Sequence, residues 1–234
     1  MTALTSRVVA VSDLSRSEID ALYALFDEHF LARRDLFERD LAAKHWAILL
    51  HDAATAEIQG FTTLALYETE VAGERLSVAY SGDTVIRPAS WGTPELPRSW
   101  IKTVFALSKD LRQPLYWLLL TSGYKTYRFL PVFFRDFYPR HDRETPETEQ
   151  ALLSGLARQR FGADYDAERG IVRFKEGATP LRPGVAEVTS SRTRDPHVAF
   201  SLARNPGHAE GDELVCLTRL HPDNLTAAGR RMAR

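Results

Sequence analysis

At 234 residues, with 44% hydrophobic and 26% charged side chains, the chain has the make-up of a soluble globular protein of one large domain or two small ones. Its formal net charge of -1 gives no electrostatic basis for binding nucleic acid or an anionic membrane. The single cysteine, Cys216, excludes an intrachain disulfide and a cysteine-built zinc site, and no run approaches the roughly 20 apolar residues that span a bilayer.

In chain order, residues 8–11 read as a first short strand. Ser15-Arg16-Ser17-Glu18 is a capping box, in which Ser and Glu satisfy each other's orphan amides. Ile19, Leu22, Tyr23, Phe26 and Phe30 behind it recur at helical spacing, and Leu36, Phe37 and Leu41 suggest a second, shorter helix. Residues 46–50 read as a strand, and residues 58–70 and 75–87 as two arms of a glycine-linked antiparallel hairpin. In the second arm, strict alternation puts Leu76, Val78, Tyr80, Thr84 and Ile86 on one face. Ser77, Ala79, Ser81, Asp83 and Val85 fall on the other. Gly82 interrupts this arm and marks a bulge or a close backbone approach.

Pro88 ends the arm, and a helix is expected over 96–111, with Pro97 tolerated in its first turn. Residues 115–120 are wholly apolar, as in a strand covered on both faces. Leu130, Phe133, Phe134 and Phe137 predict a further helix, stopped by Pro139. Residues 145–162 carry both start and stop signals of a helix, and residues 170–175 suggest a short strand. Residues 178–196 read as a loop, residues 214–220 as the last strand, and the basic tail from Pro222 as a fraying end. No repeat and no linker appears, so one domain over 1–234 is expected, with an inserted helix and loop at about 145–196. The amino terminus shows no signal-peptide core, and a reducing cytoplasm is the expected compartment.

The arm over 75–87, the helix over 96–111 and the strand over 115–120 form a βαβ unit, which predicts parallel strands. In open α/β sheets the edge beyond the carboxyl ends of such strands holds ligands. Two polar clusters fall on that edge, at 87–98 and 121–128. The histidines are scattered without metal-ligand spacing, so no metal is expected. Neither a Gly-x-Ser-x-Gly elbow nor a Walker-type loop occurs.

The order of elements, and the ending Val85-Ile86-Arg87-Pro88 of the fourth strand, resemble the GCN5-related N-acetyltransferase (GNAT) superfamily over about residues 8–220. The resemblance implies an α/β fold with a central mixed sheet flanked by helices. It also implies a fourth and a fifth strand that splay around the pantetheine arm of an acyl donor. The implied activity is acyl transfer from a thioester, acyl-CoA or carrier-protein-bound, to a small-molecule amine or hydroxyl. Val85, Arg87, Ser90, Trp91, Gly92, Thr93 and Arg98 then lie where the donor binds. Asp83 is the candidate general base, and Tyr124, Tyr127 and Ser122 are candidate proton donors to the departing thiolate. The segment Pro88-Ala89-Ser90-Trp91-Gly92-Thr93-Pro94 departs from the family's glycine-rich pyrophosphate loop. It predicts weak coenzyme A binding and admits an acyl carrier protein as partner. Two other functions suit the same cleft: a binding module without chemistry, and an enzyme that hydrolyses a thioester or acts otherwise on a tethered intermediate.

Overall fold

The computed structural model describes residues 3–234. Its strands are β1 (Leu4–Ala10), β2 (Trp46–Asp52), β3 (Ile58–Val71), β4 (Glu74–Ile86), β5 (Leu115–Thr121), β6 (Tyr165–Asp166), β7 (Ile171–Val172) and β8 (Glu213–Arg219). They form one sheet in the order β1-β2-β3-β4-β5-β8-β7-β6, antiparallel throughout except for the parallel pair β4 and β5. Its helices are α1 (Arg16–Asp27), α2 (Arg34–Ala42), α3 (Glu95–Leu107), α4 (Tyr124–Tyr127), α5 (Phe129–Phe133), α6 (Glu147–Phe161), α7 (Pro196–Arg204) and α8 (Ala227–Met232).

The local signals explain most of these elements. Ser15 Oγ accepts from the Glu18 amide while the Glu18 carboxylate accepts from the Ser15 amide, so α1 starts at its capping box. β3 and β4 are joined through Ala72 and Gly73, both at positive φ, which matches the twist of a tight hairpin. Three expectations fail. The aromatic stripe after β5 is not one helix: α5 ends at Phe133, and Phe134 and Tyr138 bridge Leu225 and Leu217 in extended backbone. α7 arises at the end of the expected loop, because Asp195 caps it through the His197 amide. The basic tail does not fray. Thr226 caps α8, and Gly229 sits so tightly on the Phe133 carbonyl that a Cβ there would come within 2.4 Å.

Strand alternation divides the helices between two faces. On one face Ile48, Leu64, Ala79, Trp117 and Leu119 pack with Trp100 and Ile101 of α3 and with Tyr127 and Leu130 of α4 and α5. On the other face Ala47, Leu49, Phe61 and Val85 pack with Leu25 and Phe26 of α1 and Phe37 of α2. Further along that second face, Val78, Tyr80, Leu118 and Val215 meet Leu153 and Leu156 of α6. Each fully buried Leu, Ile, Val or Phe among them is worth roughly 1.5–3 kcal/mol against exposure.

The break in β4 positions everything that follows. Thr84 pairs with Thr62 and Ser81 with Leu64, so β4 carries one extra residue at Gly82 and Asp83. The ladder to β5 stops at the Ser81–Leu119 pair, and beyond it the strands part. The extra residue also reverses the alternation expected from sequence. Thr84, not Asp83, shares the face of Ser81, while Val85 and Asp83 turn toward α1 and α2. A Cβ at position 82 would lie 2.6 Å from both Lys44 Cε and Thr63 Oγ1, so any larger residue has to displace those side chains. Ser81, the last residue still paired, is held by two indoles: its Oγ accepts from Trp117 at 2.8 Å and Trp100 at 3.1 Å. Among the described residues no helix is long and apolar enough to cross a membrane.

Candidate active site

Where β4 leaves β5, a cavity of about 1010 Å³ opens through the sheet. Ser81–Ile86 of β4 and Leu120 and Ser122 at the end of β5 form its waist. One wall lies on the α3–α4–α5 face, with Trp91, Gly92, Thr93, Tyr124, Lys125 and Phe129. The opposite wall lies on the α1–α2 face, with His29, Phe30, Leu36, Phe37 and Asp40. A strap roofs the opening. Leu31 donates its amide to the Pro180 carbonyl at 2.8 Å, and Arg182 donates its own to the His29 carbonyl at 2.8 Å. From there the chain runs past Leu181, Val185, Thr189 and Arg192, all in the lining, to Asp195, which pairs with Arg128 beside α4 at 3.2 Å.

The α1–α2 side of the waist concentrates ionisable groups. Burial, and then the neighbouring Asp40 charge, push the Asp83 carboxyl up to about 7 against the opposing pull of Lys44. Its Oδ2 is sealed from water and has no hydrogen-bond partner. Glu213, at the start of β8, is also pushed up to about 7 by burial, and Ser122 Oγ donates to it at 2.9 Å. The Lys44 side chain is 0% exposed and ion-pairs with Asp40, which remains half open to solvent. Tyr80 is buried beside them, with the Arg160 guanidinium 3.6 Å from its ring centroid, and burial raises its phenol. His29, 6% exposed, lies in the same wall. Its Nδ1 sits 3.0 Å from the Leu25 carbonyl, and its Nε2 is buried without a hydrogen-bond partner.

Antiparallel strands β1 to β4, then a parallel β5 that parts from β4 around a cavity, make up the layout that the resemblance implied. The fold is GNAT-like. No protein-family model matches the sequence, and no curated protein matches it either. Among solved structures the chain is similar to an N-myristoyltransferase of Saccharomyces cerevisiae with bound myristoyl-CoA, at 12% identity and a TM-score of 0.43. That match covers 52% of this chain and 30% of the yeast one, so the chain spans less than a third of the yeast enzyme. An acetyltransferase of Trypanosoma brucei matches at 21% identity and a TM-score of 0.40, covering 62% of this chain and 98% of its own. A GNAT family N-acetyltransferase of Escherichia coli in complex with CoA matches at 12% identity and a TM-score of 0.41, covering 96% and 87%.

The GNAT-like cleft brings together Asp83, Val85, Trp91, Gly92, Thr93, Ser122 and Tyr124 from the residues singled out in the sequence. Trp91 donates its indole N–H to the Ile86 carbonyl at 2.7 Å, and Lys125 Nζ lies 3.4 Å from the Trp91 ring centroid. This pair ties the loop after β4 to the loop after β5.

Four of the singled-out residues lie elsewhere. Tyr127 is a core residue: its ring packs near Phe137 and Phe200, and its hydroxyl donates to the Pro139 carbonyl at 2.9 Å. That placement takes it away from the acid's role. Arg87 is neutralised by Glu57 at 2.6 Å and Glu28 at 3.2 Å, and Arg98 by Glu95 at 3.3 Å. Neither arginine lines the cleft, so neither supplies the charge expected of it, and Ser90 sits in a short turn outside the lining. The amino end of α3 is ill suited to an anion. Pro94 and Pro97 lack amides, Thr93 Oγ1 accepts the Glu95 amide at 3.2 Å, and Glu95 puts a negative charge in the first turn.

Sequence reading missed Asp40, Lys44, His29 and Glu213. The only local signals were an acid at the head of an apolar strand and an Asp–Lys pair four residues apart at the end of a helix.

Proposed function

We propose that the protein is an acyltransferase that moves an acyl group from a pantetheine thioester to an amine across the gap between β4 and β5. The observation that carries this reading is Asp83, a carboxylate with a partnerless buried oxygen at the point where the parallel strands part. The donor's thioester arm lies along the α3–α4 wall, between residues 82–86 of β4 and the end of β5. The acceptor enters from the α1–α2 wall, where Asp83 faces it.

Asp83 takes a proton from the acceptor ammonium. The freed lone pair attacks the thioester carbonyl, and the new C–N bond forms a tetrahedral intermediate. As the intermediate collapses the C–S bond breaks, and the thiolate takes a proton from Tyr124, which lines the donor wall. The amide nitrogen gives up its remaining extra proton to water. Burial raises the basicity of Asp83 most, Asp40 and then Glu213 add like-charge repulsion, and Lys44 limits the rise. The amino end of α3 supports a donor whose affinity comes from its pantetheine arm more than from its pyrophosphate. A carrier-protein thioester meets that condition, and so does a weakly bound acyl-CoA.

The test is thiol release from a panel of acyl-CoA and acyl-carrier thioesters, each with a panel of amines. The expected result is amine-dependent release that falls roughly a hundredfold or more in Asp83→Asn, the usual loss for a missing general base. Absence of amine-dependent release across both panels, or release untouched by Asp83→Asn, overturns the reading.

A further inference from the structure

We infer that the contact between His141 and His197 is a pH-sensitive clasp on the strap that roofs the cleft, closed while the two imidazoles share a single proton between them and opened when both become charged. The clasp stands apart from the reaction proposed above.

The strap depends on its ends. Among the described residues, 183–194 hydrogen-bond only with one another and with the flanking Arg182 and Asp195, and they form no ion pair. The first end is firm. Leu181 donates its amide to the Ala209 carbonyl at 3.0 Å, and the Arg182 side chain holds the Asp27 carboxylate at 2.7 Å. The second end is Asp195, which pairs with Arg128 and caps α7 through the His197 amide. The first turn of α7 is fastened to the loop after Pro139 by His197 Nδ1, 3.1 Å from His141 Nδ1, with the two rings edge to face. Val185, Thr189 and Arg192 of the strap line the cleft, so whatever loosens this end widens the cleft there.

Two facing ring nitrogens at this distance hold one proton between them. A neutral pair supplies it. A pair with one imidazolium supplies it too, because the other ring still offers a lone pair. A second charge sets N–H against N–H and cation against cation, and the contact parts. Little nearby offsets that second charge. On the loop, Arg140 and Asp142 balance each other, and in α7 the Asp195 carboxylate is already shared between Arg128 and the His197 amide. Phe137 presents only its ring, with centroids 5.7 Å apart. Burial, and then the His141 charge, hold His197 below the ordinary imidazole range. The open segment takes up two protons where the closed pair takes one. The clasp is therefore complete above about pH 7 and weakens as the pH falls below the ordinary imidazole value of about 6.5. His29 and His208 stand elsewhere. The His29 carbonyl accepts from Arg182 at the firm end, and His208 Nδ1 lies 3.1 Å from the Asn205 carbonyl beyond the far end of α7.

Nuclear magnetic resonance on the whole chain, from about pH 8 to about pH 5, tests this through the imidazole nitrogens and through amide exchange corrected for intrinsic rates. His141 and His197 are expected to titrate in two steps, the second at least about one unit below the ordinary value. Across that step the amides of Asp195, His197 and Ala199, all bonded in the closed form, should exchange roughly tenfold faster, while those of α6 keep their protection. His141→Leu should show the fast exchange at every pH, His197→Gln repeats the test from the α7 side if that variant does not fold, and His208→Gln should respond to pH as wild type does. Joint titration of both histidines at the ordinary value overturns the inference, as does exchange that ignores pH or an equal loss of protection in α6. Retention of the acid response in His141→Leu also overturns it, and assigns the opening to Asp83 and Glu213, whose carboxyls are held at about 7.

Discussion

Asp83→Asn should stabilise the protein at high pH while removing its activity. An aspartate held at about 7 in the folded chain, against an ordinary 3.8, disfavours the ionised folded state by roughly 4 kcal/mol once both states are ionised. The folded pKa is raised, so between about pH 4 and 7 the folded chain keeps a proton that the unfolded chain has lost. Stability therefore falls as pH rises through that window and is flat above it. Asn mimics the protonated carboxyl and carries no such penalty. The groups that face Asp83 (Asp40 of α2, Lys44 behind it, Glu213 of β8, and Tyr80 with Arg160 beyond) share the cost, so roughly 4 kcal/mol is an upper limit. For a chain of this length 1 kcal/mol shifts the melting temperature by about 2–4 °C. Scanning calorimetry should then show Asp83→Asn melting at least about 4 °C above wild type at pH 8, and within about 2 °C of it at pH 4.5. A gain of the same size at both pH values, or a loss at pH 8, refutes the claim that Asp83 is an ionisable group held in an unfavourable site.

Other outcomes follow from single contacts. Gly82→Ala forces a Cβ against Lys44 and Thr63, and urea unfolding should show a loss of about 1–3 kcal/mol, as for overpacked sites. Tyr127→Phe removes a hydroxyl bonded to Pro139 and should cost about 1 kcal/mol in the same assay, with thiol release per folded enzyme unchanged. Tyr124→Phe should leave stability alone and slow thiol release by about a hundredfold. Free coenzyme A should bind by calorimetry with a Kd of about 100 μM or weaker, a few kcal/mol short of a micromolar site, because Glu95 and two prolines occupy the amino end of α3. Submicromolar binding would mean that the phosphates are held somewhere other than at α3.

How much of this was legible in the sequence depended on the range of the signal. The capping box at Ser15, the hairpin over β3 and β4, and the apolar β5 are local patterns, and the structure realises each of them close to its expected place. α8 and the extended run after α5 escaped because their order comes from contacts with distant residues, such as Thr226 on the Val132 carbonyl and Tyr138 against Leu217. The site was half readable. Asp83 stood out as an acid inside a strand, and Gly82 beside it announced the bulge. The alternation rule, however, put Asp83 on the wrong face, since a single inserted residue reverses every side chain after it. Glu213 and Lys44 lie 130 and 39 residues from Asp83, too far apart in the chain for any motif to join them. The arginines were misassigned for the opposite reason. Their charge was visible in the sequence, but the partners that cancel it, Glu28, Glu57 and Glu95, were not.

The cleft pierces the sheet, and that has a kinetic consequence. Lining residues with exposed surface lie on both faces, Trp91 and Val132 on one and Arg39 and Ala43 on the other. Two reactants that arrive from opposite faces do not block each other's way in, and neither has to leave before the other enters. Initial-rate lines at several fixed concentrations of the second substrate should therefore intersect, not run parallel. On the proposed reading, in which the donor lies along the α3–α4 wall, the released thiol should compete with the donor alone. A molecule in which a pantetheine-like arm is joined to an amine would thread the sheet from side to side, and its affinity should far exceed that of either half.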